Sequence, residues 1–249
     1  MTFVPAVVFT VTTPTPVPTP TAPSVSDLIQ SAVGNGPNGS PAESVVVLIG
    51  ITLLSVAPAL ILMMSSFTKI FVVLAMTRNA LGLQSIPPNQ VLAGLALFLS
   101  VFIMWPVLQH INIDAVQPYL HGDIDITGAV NAASQPLREF MLAHTRQEDI
   151  ALMERAAGRP NPHTPKDVSL STLIPAFMLS ELRSAFIIGF VIFVPFLVID
   201  LVVSSALMAM GMMMLPPVMI SLPFKILLFI LVDGWSLIIT TLVGSYGVT

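Results

Sequence analysis

From Val45 to Met76 the chain carries one charged side chain, Lys69. A continuous helix over that stretch would be about 48 Å long at 1.5 Å per residue, against a bilayer hydrocarbon core of about 30 Å. The stretch therefore has to bend, with Pro58 the expected point, or project from the bilayer. Three more apolar regions follow at 91–108, 173–215 and 226–243, and a polar insert, 109–171, separates the second from the third. Only 9% of the 249 residues are charged and 55% are hydrophobic, where soluble domains carry about 25% charged residues. The pattern implies an all-α, multi-helix, membrane-associated chain with bent, charge-interrupted helical hairpins.

The third apolar region contains Glu181, Arg183 and Asp200, and the fourth contains Asp233. Charges at such positions are costly in lipid, so these helices are expected to pack on protein or line a cavity. Buried carboxylates need partners, and Lys69, Arg183 and Lys225 are the available cations. Glu181 and Arg183 are two residues apart and so point to different helix faces; a salt bridge between subunits is one expectation for them. Asp200 and Asp233 admit other readings, as a proton relay or as an aspartyl-protease pair, but "FLVIDLVV" and "ILVDGW" give no independent support for a protease.

Net charge is −4 and no dense basic patch occurs, which argues against nucleic acid as a partner. Cysteine is absent, which excludes disulfides and thiolate metal sites. No HExxH, GxSxG or Walker-type glycine loop is present, so no catalytic constellation is expected. His110, His121, His144 and His163 lie in or beside the polar insert without metal-ligand spacing and read as surface histidines.

Residues 1–44 form a separate segment rich in Pro, Thr, Gly and Ser and read as an extended, disordered tail. Its short apolar start contains Pro5 and lacks an early basic residue, so a cleaved signal segment and a plain tail both stand as readings. In the insert, "PLREFMLAHTRQEDIALMERAAG" predicts one helix from Pro136 to about Ala157, with Pro136 at its first position and Gly158 at its end. His144 and Glu148 would then share a face. The basic loop residues Arg78 and Lys225 place those loops in the cytoplasm, and the tail and insert outside.

Several stretches together carry a family resemblance. "SSFTKIFVVLAMTRNALGLQSIPPNQVLAGLALFLSVFIM", "PLREFMLAHTRQED" and the segment from Leu173 to Trp235 resemble the FliP family of flagellar export-gate proteins. The likeness runs from about Val45 to the end and excludes the tail. It implies an all-helical subunit whose copies assemble, in a pentamer-like ring, with FliQ-type and FliR-type partners and with FlhB-type and FlhA-type export proteins. It also implies a place in the flagellar basal body at the bacterial inner membrane, largely facing the periplasm, in contact with lipid. The cargo would be unfolded flagellar proteins, and no cofactor is implied.

The stretch "MAMGMMMLPPVMISLPFK", Met208 to Lys225, holds six of the chain's fourteen methionines. On composition alone these read as core filling. The resemblance instead implies a pore constriction at Met212, Met213 and Met214, flanked by Met210 and Met219. Thioether side chains are apolar and flexible, so they exclude water yet deform around a passing chain. Pro216 and Pro217 are expected to stop the helix, and Gly211 to allow a turn. The alternatives are an injectisome export-gate subunit and a proton-coupled secondary transporter, although no internal repeat supports the latter.

Overall fold

The computed structural model describes residues 41–83, 85–160, 164, 167–212 and 214–247. The sequence reading of the tail therefore lies outside the described residues up to Ser40. The chain divides into two compact units, 1–56 and 57–249. In the first, the described residues are helical from Pro41, and exposed hydroxyls turn back onto the helix itself, as in Thr52 Oγ1 donating to the Leu48 carbonyl.

Every regular element among the described residues is helical: α1 (Pro41–Met63), α2 (Phe67–Ala80), α3 (Asn89–Ile111), α4 (Gln117–His121), α5 (Ile126–His144), α6 (Gln147–Ala156), α7 (Leu170–Ala209), α8 (Pro217–Leu231) and α9 (Gly234–Gly244). A π-helical turn, Asn112–Val116, joins α3 to α4 without a break, giving one 33-residue helix to His121. That helix and the 40-residue α7 are each long and apolar enough to cross a membrane. Two bent pairs pass the same test jointly: Ser55–Met63 with α2, at 69°, and α8 with α9, at 61°.

The first apolar region does bend, but not at Pro58, which sits inside α1. The break falls between Met63 and Phe67. There Ser65 Oγ donates to the Leu62 carbonyl and accepts from the Phe67 N–H. A serine side chain that competes for backbone groups loosens a helix. The fully buried Ser66 is held by a 3.1 Å hydrogen bond to Ser100 of α3.

The polar insert is also divided differently from the one-helix expectation. Asp125 caps α5 by accepting the Gly128 N–H at 2.8 Å, so the helix begins ten residues before Pro136, which lies in its interior. It ends at His144. The Arg146 N–H turns away to the Ser180 hydroxyl of α7 at 2.9 Å, and Arg146 takes extended backbone as the cap of α6. His144 and Glu148 therefore lie on separate helices. Gly158 does end the second helix: its φ is +67°, and the Arg159 N–H reaches the Glu154 carbonyl.

α2 is central in the second unit, packing along α7 and against α3, while α6, α5 and α8 pack on other stretches of α7. Ile70, Val73 and Leu74 of α2 are fully buried against Leu92 and Ala96 of α3 and Leu173 and Phe177 of α7. Away from this core the helices display large apolar side chains, among them Phe98, Phe190, Val202 and Leu231. An isolated soluble subunit rarely exposes so much apolar surface.

Candidate functional site: a methionine corner and the charges behind it

α7 stops well before the prolines expected to stop it. Gly211 adopts φ +74°, the Gly211 N–H bonds the Met208 carbonyl at 3.0 Å, and the Met212 N–H bonds the Leu207 carbonyl at 3.0 Å. Those paired bonds with a left-handed glycine end a helix and reverse the chain. Pro216 and Pro217 have the opposite role from the one expected. Pro216 caps α8 and Pro217 is its first residue, where a missing N–H costs nothing.

The corner so formed displays methionine. Met214 is 97% exposed, and Met208, Met210, Met212 and Met219 are all exposed. Met213 lies outside the described residues. None of the five described side chains, Met208, Met210, Met212, Met214 and Met219, fills the core of this chain. Beside the corner runs an apolar groove of about 470 Å³ between α7 and α8, lined by residues including Val202, Ala206, Met210, Ile220 and Phe224.

Two buried charge sites lie farther back along α7, at Asp200 and at Glu181. In the one nearer the corner, Lys225 of α8 is 3% exposed and reaches Asp200 of α7 at 2.7 Å. Its ammonium also donates to the Ala80 carbonyl at the end of α2 at 3.3 Å, where a cation complements the helix dipole. Ser221 Oγ donates to the other Asp200 oxygen at 2.6 Å. One lysine thus ties α2, α7 and α8 together.

The second site is deeper. Lys69 of α2 lies 3.6 Å from Glu181 of α7, with both side chains almost fully buried. Tyr246, just beyond α9, donates its hydroxyl to Glu181 and lays its ring under the Lys69 ammonium at 4.0 Å. Burial, and then the Glu181 carboxylate, push the Tyr246 phenol well above its ordinary range, so it remains a donor. Glu181 thus meets a cation, Lys69, within the subunit.

Arg183 points to another face, 3.5 Å from Asp149 and 3.7 Å from Glu148 of α6. Asp149 is itself buried and accepts from Ser180 at 2.6 Å. Asp233 differs from the other acids of the apolar regions. It is exposed, its backbone is left-handed at φ 48°, and its side chain makes no hydrogen bond or ion pair with the described residues.

The histidines separate as well. His110 lies 4.0 Å from Asp114, and His121 bonds the Gln117 carbonyl. His163 lies outside the described residues. His144 is not a plain surface histidine: it is partly buried between Phe140 and Tyr246, with Nδ1 on the Phe140 carbonyl at 2.7 Å. With Lys69, Arg146 and Glu181 it lines a polar cavity of about 250 Å³. Sequence reasoning missed Tyr246, Ser221 and Ser180; a lone hydroxyl in an apolar run was the available signal, since buried polar groups require partners.

The methionine corner and both buried charge sites lie inside the span, residues 50–242, that matches the FliP family model, except that Tyr246 falls just past its end. The chain belongs to the FliP family. The flagellar biosynthetic protein FliP of Bacillus subtilis is 53% identical over 204 residues, covering 82% of this chain and 92% of that protein. The protein of the same description from Pectobacterium carotovorum is 50% identical over 212 residues, covering 84% and 82%. That from Caulobacter vibrioides is 47% identical over 222 residues, covering 88% and 84%. Membership in FliP makes this chain a flagellar biosynthesis component, all-helical, with helices able to span a membrane.

Proposed function

We propose that this chain is a channel-forming subunit of the flagellar type III protein export gate, passing unfolded flagellar proteins across the inner membrane. The methionine-rich corner seals the pore when it is closed. The observation that carries this reading is the exposure of Met208, Met210, Met212, Met214 and Met219 along the α7–α8 corner, from the end of α7 to the first turn of α8. Core-filling methionines would be buried; these are presented outward on a tied-down support. Rings of flexible apolar side chains exclude water by dewetting and yield to varied shapes. The site residues on this reading are Met212, Met213 and Met214, flanked by Met210 and Met219. Gly211, Pro216 and Pro217 shape the turn.

Several copies, in a pentamer-like ring, associate with FliQ-type and FliR-type gate subunits and with FlhB-type and FlhA-type proteins. The apolar surface left by α3, α7 and α8 supports such coverage. The gate domain is 45–249, and the assembly sits in the basal body facing the periplasm. The chain supplies a conduit and no catalysis. A proton-relay role for Asp200 is disfavoured by its engagement with Lys225 and Ser221.

The test is triple replacement of Met212, Met213 and Met214 by alanine, with small-ion leakage and secretion measured together in assembled gates. Leakage rises on the order of tenfold while assembly persists, because shorter side chains leave the constriction hydrated. Unchanged permeability in an assembled gate rejects the seal.

A further inference from the structure

Cysteine is absent from the chain, so no thiol competes for an oxidant and the methionine thioethers are its only oxidisable sulfur. A thioether reacts where its sulfur can be reached, and the methionines differ in that. Met104 and Met141 are buried in the core. Met76 is pressed into the crossing of α2 and α7, where a Cβ on Gly189 would fall 2.4 Å from its sulfur. The Met178 sulfur accepts the Thr68 hydroxyl at 3.9 Å. By contrast, Met208, Met210, Met212, Met214 and Met219 are all exposed along one corner. Among the described residues the other exposed methionine is Met63, at the end of α1.

Oxidation at the corner has a consequence that oxidation at Met63 lacks. A seal that works by dewetting needs a lining without hydrogen-bonding groups. The groove beside the corner is lined by apolar side chains throughout, Met210 among them. A sulfoxide turns a flexible apolar side chain into a polar one, and its oxygen accepts hydrogen bonds from water. Several copies around one constriction would bring several such oxygens to the same place.

We propose that the methionine corner is an oxidation site, at which hydroperoxides convert thioethers to sulfoxides and so make the closed gate leak small ions. The sulfur lone pair attacks one peroxide oxygen, and an S–O bond forms as the O–O bond breaks. The proton on the attacked oxygen passes to the departing hydroxide, which leaves as water. Sulfur loses two electrons and the peroxide gains them. This role rests on the corner being the seal: the softness that lets the side chains yield is also what an oxidant removes.

The experiment treats assembled gates of the full chain, in membrane vesicles, with hydrogen peroxide. Peptide mapping by mass spectrometry follows the gain of oxygen at each methionine, and ion leakage is measured on the same vesicles. Corner methionines gain oxygen on the order of tenfold faster than Met104 and Met141, because exposure governs access. Leakage rises on the order of tenfold as they do so. The combined variant Met212→Leu, Met213→Leu and Met214→Leu keeps an apolar lining of similar size that peroxide cannot oxidise. It stays tight before treatment and loses most of the peroxide-induced leak, whereas Met63→Leu behaves as the parent chain. Oxidation of the corner no faster than that of Met104 and Met141, or an equal peroxide leak in the leucine variant, overturns the proposal. An oxidised corner without a leak, in gates whose alanine variant does leak, overturns this proposal alone. A tight alanine variant overturns the seal and this proposal with it.

Discussion

Lys225 makes several contacts that no other residue in the chain could replace together. Its ammonium meets Asp200 and the end of α2 while almost fully withdrawn from solvent. Removing one member of such a pair leaves the other desolvated, so Lys225→Met is expected to cost roughly 3 kcal/mol. The double variant Lys225→Met with Asp200→Asn should recover much of that loss, which thermal unfolding in detergent will show. Tyr246 offers a second residue-level test. Its phenol is raised above the ordinary 10.0 by burial and then by Glu181. Above that pH the unfolded chain releases the proton and the folded chain keeps it. Stability therefore falls with rising pH, by about 1.4 kcal/mol per unit from this group. Tyr246→Phe should lack that share of the alkaline slope, and parallel pH titrations of unfolding compare the two.

At the scale of elements, helix ends written in backbone chemistry were readable and breaks imposed by neighbours were not. Gly158 reads as a stop because left-handed backbone suits glycine, and it is one. Gly211 reads as a turn and is one; it also takes the stopping role expected of Pro216 and Pro217, which begin α8 instead. Gly211→Ala is expected to cost about 1 kcal/mol or more by straining that turn, whereas Pro216→Ala should change little; melting curves of the two separate the roles. The break at Thr145–Arg146 depends on Ser180, and the seating of Ser66 beside the first break depends on Ser100, both on other helices. No local window contains those partners. Ser180→Ala is accordingly expected to loosen the α5–α6 junction, with faster amide exchange at Arg146.

For the molecule as a whole, the apolar surface is the leading fact. The largest buried side chains, such as Phe177 and Leu74, sit where α2, α3 and α7 meet. Phe177→Ala should cost about 3–5 kcal/mol through the cavity it leaves, measured as loss of folded subunit in detergent. Changes to exposed apolar residues such as Phe190 or Val202 should leave the isolated subunit's melting point within a few degrees. Their effect belongs to assembly, read by native-detergent size profiles.

Hydropathy and charge spacing were sufficient for an all-helical, membrane-associated chain, because the span of a bilayer and the cost of charge in lipid act on local composition. The same argument placed charges where partners were required. Which partner each charge took came from packing. Lys69 was open to several acids until α2 lay along α7 and faced Glu181, and Lys225 was open until α8 crossed Asp200. Glu181, Arg183 and Asp200 look alike as acids and a base in apolar text, yet one is deeply buried under Tyr246, one reaches a surface helix and one braces a corner. Electrostatic need is a property of the residue, but its satisfaction depends on distances that exist only after helices far apart in the chain have packed.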